Sequence, residues 1–311
     1  MLSGGDTIFM VLVTGEFLLT ILINGFIALV NFIDWIKSKK LSSSDVILVS
    51  LAISRIGLAC AIIWNSNLVV IHIDVRFTAK LGLIDILFLL THNTNIWSAT
   101  TLSIFYLLKI TNFSHPLFLW MKWRIDRMVF LLLGGPLIIT VSILFPLMEK
   151  IQHYYSILFN RGKERNVSQE DQVSKSFFIM IEIIISFLGL IPFILSTVSL
   201  SLFILSLWRH KQQMQIKVTG SRDPSTEAHV RAMKAVSSFL ILFLLYYTSL
   251  FFNYWSYSVI KNKLPSMLSM STMLLYPFGH SLVLILWNSK LRKVALRMSW
   301  LMRCCQRERY L

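Results

Sequence analysis

Apolar residues come in long runs in this chain, broken by short charged stretches. Seven runs, at 8–32, 46–71, 81–110, 128–148, 177–208, 232–260 and 265–287, are long enough to cross roughly 30 Å of hydrocarbon as helices. Inside a bilayer every backbone N–H and C=O must find its partner within the protein. A helix meets that need in a single segment. The pattern predicts an all-α membrane protein, with residues 1–311 forming one seven-transmembrane helix bundle. The third run is the most polar, with Asp85, His92, Asn93 and Asn95. Arg55, within the second run, reads as the one strong charge deep in a span. No solenoid repeat, heptad array or separate soluble domain interrupts the series.

An odd number of spans puts the two termini on opposite sides, and the loop charges say which is which. Segments 33–45, 109–127, 209–234 and 289–311 together carry 20 Lys and Arg. Segments 1–7, 72–80, 149–176 and 261–264 carry 9. Positive charge stays on the cytoplasmic side, so the N-terminus is expected outside and the basic tail inside. Asn166-Val167-Ser168 is a glycosylation acceptor in a loop already assigned to the outside. Asn112-Phe113-Ser114 also fits the tripeptide but falls on the cytoplasmic side.

Composition changes this picture little. Hydrophobic residues make up 55% of the 311 and charged residues only 14%. A soluble surface could not be wetted with so few polar groups. The net charge of +15 lies in the loops, so it signals topology and contact with lipid head groups, and no nucleic-acid partner is expected. Cys60, Cys304 and Cys305 cannot form a disulfide framework. Cys304 and Cys305 sit in the basic tail just past a span and are either palmitoylation sites or unmodified thiols. No basic region or small-residue cleavage site precedes the first run, so no cleaved signal peptide is expected. No metal site or cofactor is expected.

Seven spans with an outside N-terminus suggest a G-protein-coupled receptor, yet the usual rhodopsin-like signatures are missing. The third span does not end in Asp-Arg-Tyr, and the seventh has no Asn-Pro-x-x-Tyr. Other motifs stand in their place. The first span holds Asn24-Gly25-Phe26-Ile27, and the second holds Leu51-Ala52-Ile53-Ser54-Arg55. The third closes with Phe105-Tyr106-Leu107-Leu108-Lys109-Ile110, followed by Asn112-Phe113-Ser114-His115-Pro116. The fifth closes with Ser206-Leu207-Trp208-Arg209-His210. The seventh carries Tyr276-Pro277, His280-Ser281 and then Asn288-Ser289-Lys290-Leu291-Arg292. In this order, from end to end, these motifs resemble the bitter-taste (type 2 taste) receptor family. Trp287 departs from the family, which usually has Gly before Asn288.

The resemblance implies a receptor that binds bitter small molecules in the outer half of the bundle and activates a gustducin-type heterotrimeric G protein at the plasma membrane. It implies glycosylation at Asn166. It places Asn24, Arg55, His280 and Ser281 in a polar switch network coupling the first, second and seventh helices. A charge at the depth of Arg55 costs roughly 2.5–3.5 kcal/mol on insertion scales, so the side chain should face the bundle and find partners there. Such a network either serves only helix packing or is itself the switch. Tyr106, Lys109 and His210 are implied in G-protein contact at the inner face. The basic residues around them are either part of that face or topology signals alone.

For the ligand, Phe88, His92 and Ile96 are spaced by four and share one face of the third helix, flanked by Asn93 and Asn95. The resemblance puts Phe88 and His92 at ligand-contacting positions, together with Asn65 and Ser66 on the second helix, Tyr246 on the sixth, and Met270 and Met273 on the seventh. Many members have Trp where Phe88 stands, and some have Glu where Met270 stands. With Met270 a counter-ion for basic agonists is lost; Glu182 on the fifth helix either replaces it or snorkels to the interface. Methionine and aromatic surfaces adapt to several shapes, which favours broad tuning. A seven-helix transporter or channel is the alternative. It predicts paired halves with broken helices or charged rings, and neither is visible. Enzyme motifs such as His-Glu-x-x-His and Gly-x-Ser-x-Gly are absent.

Overall fold

The computed structural model describes residues 4–40, 42–71, 83–111, 113–160, 189–206, 208–209, 224–255 and 263–308. Among them there is no strand. The helices are α1 (Gly4–Ser38), α2 (Ser43–Ile71), α3 (Leu83–Ile110), α4 (Pro116–Trp123), α5 (Ile125–Asn160), α6 (Gly189–Ser206), α7 (Pro224–Trp255), α8 (Lys263–Trp287) and α9 (Ser289–Glu308). The fold is a helical bundle of the seven-transmembrane type, with α4 and α9 as additional helices at one end.

Six of these helices are long and apolar enough to cross a membrane, in α1, α2, α5, α6, α7 and α8. The exception is α3, which has the length but not the apolarity. The reason is its position. It packs against α2, α5 and α7, and it hydrogen-bonds α6 through Ser196 to Thr100 (3.0 Å) and Ser199 to the Ser103 carbonyl (3.0 Å). His92, Asn93, Asn95, Ser98, Thr100, Thr101 and Ser103 are all buried. A helix surrounded by protein need not be apolar towards lipid, and polar side chains then join it to its neighbours.

The outer helices show the opposite pattern. Leu22, Ile138, Phe145, Ile194 and Ile241 are exposed apolar side chains on α1, α5, α6 and α7. In water such a surface would be an aggregation liability, whereas in a bilayer it is the lipid-facing side. Inside, α8 contacts α1, α2 and α7, which closes the ring. Gly57 marks a close approach of α2 to α3: a Cβ there would lie 2.5 Å from Thr91 Cγ2.

Local sequence explains the element ends. His115 caps α4, its side chain accepting from the Leu117 N–H, and Pro116 follows where a missing N–H costs nothing. Phe118 anchors the same helix, edge-on to Phe113 with ring centroids 5.1 Å apart. Asn288 restarts the chain after α8: its side-chain oxygen accepts from the N–H groups of Lys290 (3.0 Å) and Leu291 (3.2 Å), the first turn of α9. The helix of α5 continues to Asn160, through part of the stretch that reads as an outer loop.

Candidate functional site

Three groups of polar and aromatic residues run along the bundle, two of them buried. The first centres on His92 of α3. Its Nδ1 shares a 2.7 Å hydrogen bond with the Tyr246 hydroxyl of α7. Phe88, one turn away on α3, stacks on the His92 ring at 5.8 Å, and Tyr246 stacks at 5.4 Å. The spacing of four thus puts Phe88 and His92 on one face of α3, as the sequence predicts. On the facing side, Ser66 of α2 donates to the Met270 sulfur of α8 at 3.4 Å, and Met273 is buried one turn on. Asn65 is half-buried beside Ser66.

Asn93 and Asn95 go elsewhere. Asn93 Nδ2 donates to Thr140 Oγ1 (2.5 Å) and the Pro136 carbonyl (3.2 Å), joining α3 to α5. Asn95 joins the middle group. Asn93, one position from His92, is rotated by about 100° from its face, while Asn95, three positions on, lies almost a turn further along α3 towards Arg55. Glu182, Asn166 and His210 lie outside the described residues. Cys304 and Cys305 fall within α9.

The middle group surrounds Arg55, which is fully buried. Its Nε donates to Asn95 Oδ1 (3.3 Å) and its Nη1 to Ser281 Oγ (2.6 Å), while Nη2 meets His280 Nδ1. Because a guanidinium only donates, His280 accepts through Nδ1. Ser281 passes the connection on, donating to Asn24 Oδ1 at 2.7 Å, and Asn24 Nδ2 donates to the Thr20 carbonyl at 2.9 Å. The four residues expected to form a network on the first, second and seventh helices come together. Asn95, which flanks the ligand face in the sequence reading, adds the third helix.

Tyr276 connects the two groups. Its ring lies 5.2 Å from Tyr246 and 6.4 Å from His280, and the Arg55 guanidinium sits 5.8 Å over it. A line of rings and polar groups therefore runs from Phe88 and His92 through Tyr246 and Tyr276 to Arg55. Pro277, inside α8, removes the helical bond to the Met273 carbonyl next to this junction.

Glu16 corrects the expectation that Arg55 is the one strong charge deep in a span. It lies within α1, and Ser271 of α8 donates to both of its carboxylate oxygens at 3.0 Å. The spacing of four in Glu16, Thr20 and Asn24 signals this stripe, which faces α8. The third group was missed as well. At the other end of the bundle, Lys290 of α9 donates to Asn31 (3.0 Å), Asp45 (3.0 Å) and Asp34 (2.6 Å), tying α9 to α1 and α2. Burial works against its charge, but hydrogen bonds and attraction from Asp34 and Asp45 outweigh that and raise its pKa. Each partner stands alone in the sequence, and only the fold brings them together. Of the residues expected at the coupling face, Tyr106 is half-buried beside Asn288, whereas Lys109 is exposed and folds over Phe105 at 5.3 Å.

No group of residues that could hold a metal ion occurs among those described. The family model described as taste receptor protein (TAS2R) matches residues 1–303. Taste receptor type 2 member 7 of Macaca mulatta is 44% identical over 296 residues, covering 95% of this chain and 93% of that protein. Taste receptor type 2 member 8 of Gorilla gorilla gorilla is 44% identical over 302 residues, covering 96% and 97%. Both relatives match over nearly their whole lengths, and the buried polar bundle lies within the matched region. The chain belongs to the taste receptor protein (TAS2R) family and is a multi-pass, G-protein-coupled bitter-taste receptor by kind.

Proposed function

We propose that this receptor binds bitter small molecules in the outer half of the bundle, beside His92 and Tyr246, and activates a gustducin-type G protein from its cytoplasmic face. The observation that carries the proposal is the His92–Tyr246 hydrogen bond, which joins α3 to α7 and continues through Tyr276 to Arg55. A ligand that alters this junction favours one arrangement of α3 and α7 over another, and a receptor needs that differential affinity to shift between states. Phe88, Tyr246, Met270 and Met273 supply an apolar surface, with His92, Ser66 and Asn65 as hydrogen-bonding points. Mid-sized, largely apolar ligands suit it. Glu182 is a further candidate for basic ligands.

The charge bias of the loops supports an N-terminus outside, with Asn166 glycosylated, and a C-terminus in the cytoplasm at the plasma membrane. Tyr106, Lys109 and His210 are the coupling candidates on that inner side. Cys304 and Cys305 on α9 are candidates for palmitoylation. The test is intracellular calcium in cells expressing the receptor with a chimeric promiscuous Gα subunit, challenged with a panel of bitter compounds. A response that disappears without the Gα subunit is expected. A response that persists without it overturns the coupling, and an agonist indifferent to both Phe88→Ala and Tyr246→Ala at normal surface expression overturns the site.

A further inference from the structure

The Arg55 group has more donors than acceptors. A guanidinium carries five N–H groups and no acceptor. Here it meets only neutral partners: Asn95 Oδ1, Ser281 Oγ and His280 Nδ1. Among the described residues no carboxylate pairs with it; Lys263 pairs with Asp6 and Lys290 with Asp34 and Asp45, near the ends of the helices. Glu16 is bound to Ser271 and lies eight residues before Asn24 on α1, about 12 Å along the helix. Two further polar atoms beside Arg55, Asn95 Nδ2 and the Tyr276 hydroxyl, are buried without a hydrogen-bond partner. The Tyr276 hydroxyl lies close enough to Arg55 and Asn95 to interact with both, but neither contact reaches full hydrogen-bond geometry. Asn95, Tyr276 and Arg55 are all fully buried.

A buried positive charge, an amide N–H and a phenol O–H thus converge with no negative group to answer them. Water would bring as many donors as acceptors and leave the charge in place. An anion brings only acceptors and cancels the charge. We propose that Arg55, Asn95 and Tyr276 form a binding site for a small monovalent anion of the chloride type, between α2, α3 and α8. A single charge matches the single guanidinium, and a larger polyanion would reverse the imbalance. Bound there, the anion holds α2, α3 and α8 together at the junction between the ligand group and Asn24, so its occupancy stabilises one arrangement of the bundle.

The test uses the full-length receptor in lipid nanodiscs. Thermal unfolding is followed in sodium chloride and in sodium gluconate at equal ionic strength. The expected result is a saturable rise in Tm with chloride, on the order of 2–4 °C at a few times its Kd, reproduced by bromide and not by gluconate. Asn95→Asp keeps the side-chain shape, replaces the Nδ2 donor with an acceptor and supplies a built-in counter-charge, so its Tm should not respond to chloride. Equal Tm values in chloride and gluconate for the natural receptor overturn the proposal, as does a full chloride increment in Asn95→Asp. If Asn95→Asp fails to fold, the chlorine NMR linewidth decides. Excess broadening over empty nanodiscs, reduced in Tyr276→Phe, upholds the site. Identical broadening in both proteins assigns the ion to the basic surface and overturns it.

Discussion

His92 Nδ1 and the Tyr246 hydroxyl lie 2.7 Å apart, in the interior of the bundle and on different helices. Their rings also stack, so the pair fixes both the distance and the rotation of α3 against α7. Interhelical hydrogen bonds in membranes are worth about 0.6 kcal/mol on average and up to about 1.7. A cycle of His92→Phe, Tyr246→Phe and the double variant should therefore show coupling. Agonist EC50 in the double variant is expected to differ from the product of the single effects by roughly three- to eighteen-fold. Strict additivity would show that the two residues act independently on the ligand.

Ser281 and Ser54 are both buried serines near Arg55 in the chain or in space, but they do different things. Ser54 donates to its own helix, to the Leu51 carbonyl at 3.0 Å. Ser281 accepts from Arg55 and donates to Asn24, so it, unlike Ser54, links α1 to the guanidinium. Ser281→Ala leaves two buried polar groups short of a partner, each at about 1–3 kcal/mol. Ser54→Ala removes only a local bond. Thermal unfolding of the solubilised receptor should show a clearly larger loss for Ser281→Ala than for Ser54→Ala. Equal losses would mean that the link to α1 carries no weight.

Much of this arrangement is legible in the sequence, and the gaps have physical causes. Long apolar runs give the helices directly, because hydrocarbon length and backbone pairing leave few options. Arg55 reveals itself because a deep charge demands partners, and the seventh-span motif supplies His280 and Ser281. Phe88 and His92 follow from helical spacing. Asn95 flanks that face, and spacing from His92 alone does not say which partner a flanking residue meets. Glu16 passed unnoticed within an apolar run even though Thr20 and Asn24 continue its stripe. The partners of Lys290 are spread from Asn31 to α9, and no local pattern points across that separation.

Lys290 gives a prediction with a definite sign. Its pKa is raised above the ordinary 10.5, since Asp34 and Asp45 more than offset burial. A lysine whose folded pKa is raised contributes stability that is fully present below the unfolded pKa and is lost as pH rises through the folded one. Its contribution should thus be flat through neutral pH and decline only above about 10.5. Lys290→Met should lower Tm at neutral pH and remove that alkaline decline. The effect stays modest because the ammonium is 30% exposed and Asp34 52%, so solvent screens the pair. An unchanged Tm in Lys290→Met would show that α9 is held by its apolar contacts with α8.

Gly57 tests the packing of α2 on α3 with a paired substitution. A Cβ at this position would meet Thr91 Cγ2 at 2.5 Å, too close for any real contact, and the neighbour is a branched carbon close to its own backbone. Thr91 cannot easily turn away, because its hydroxyl donates to the Leu87 carbonyl at 2.6 Å and so fixes the rotamer. Gly57→Ala should therefore destabilise the receptor by about 1–3 kcal/mol, although alanine favours helix over glycine. Thr91→Ser deletes the obstructing methyl and keeps the hydroxyl. In the double variant the added Cβ fills the space left by that methyl, and most of the lost Tm and surface expression should return. Wild-type stability in Gly57→Ala alone would mean that α2 and α3 separate freely at this crossing, and the close approach would then contribute nothing to the position of Arg55 or His92.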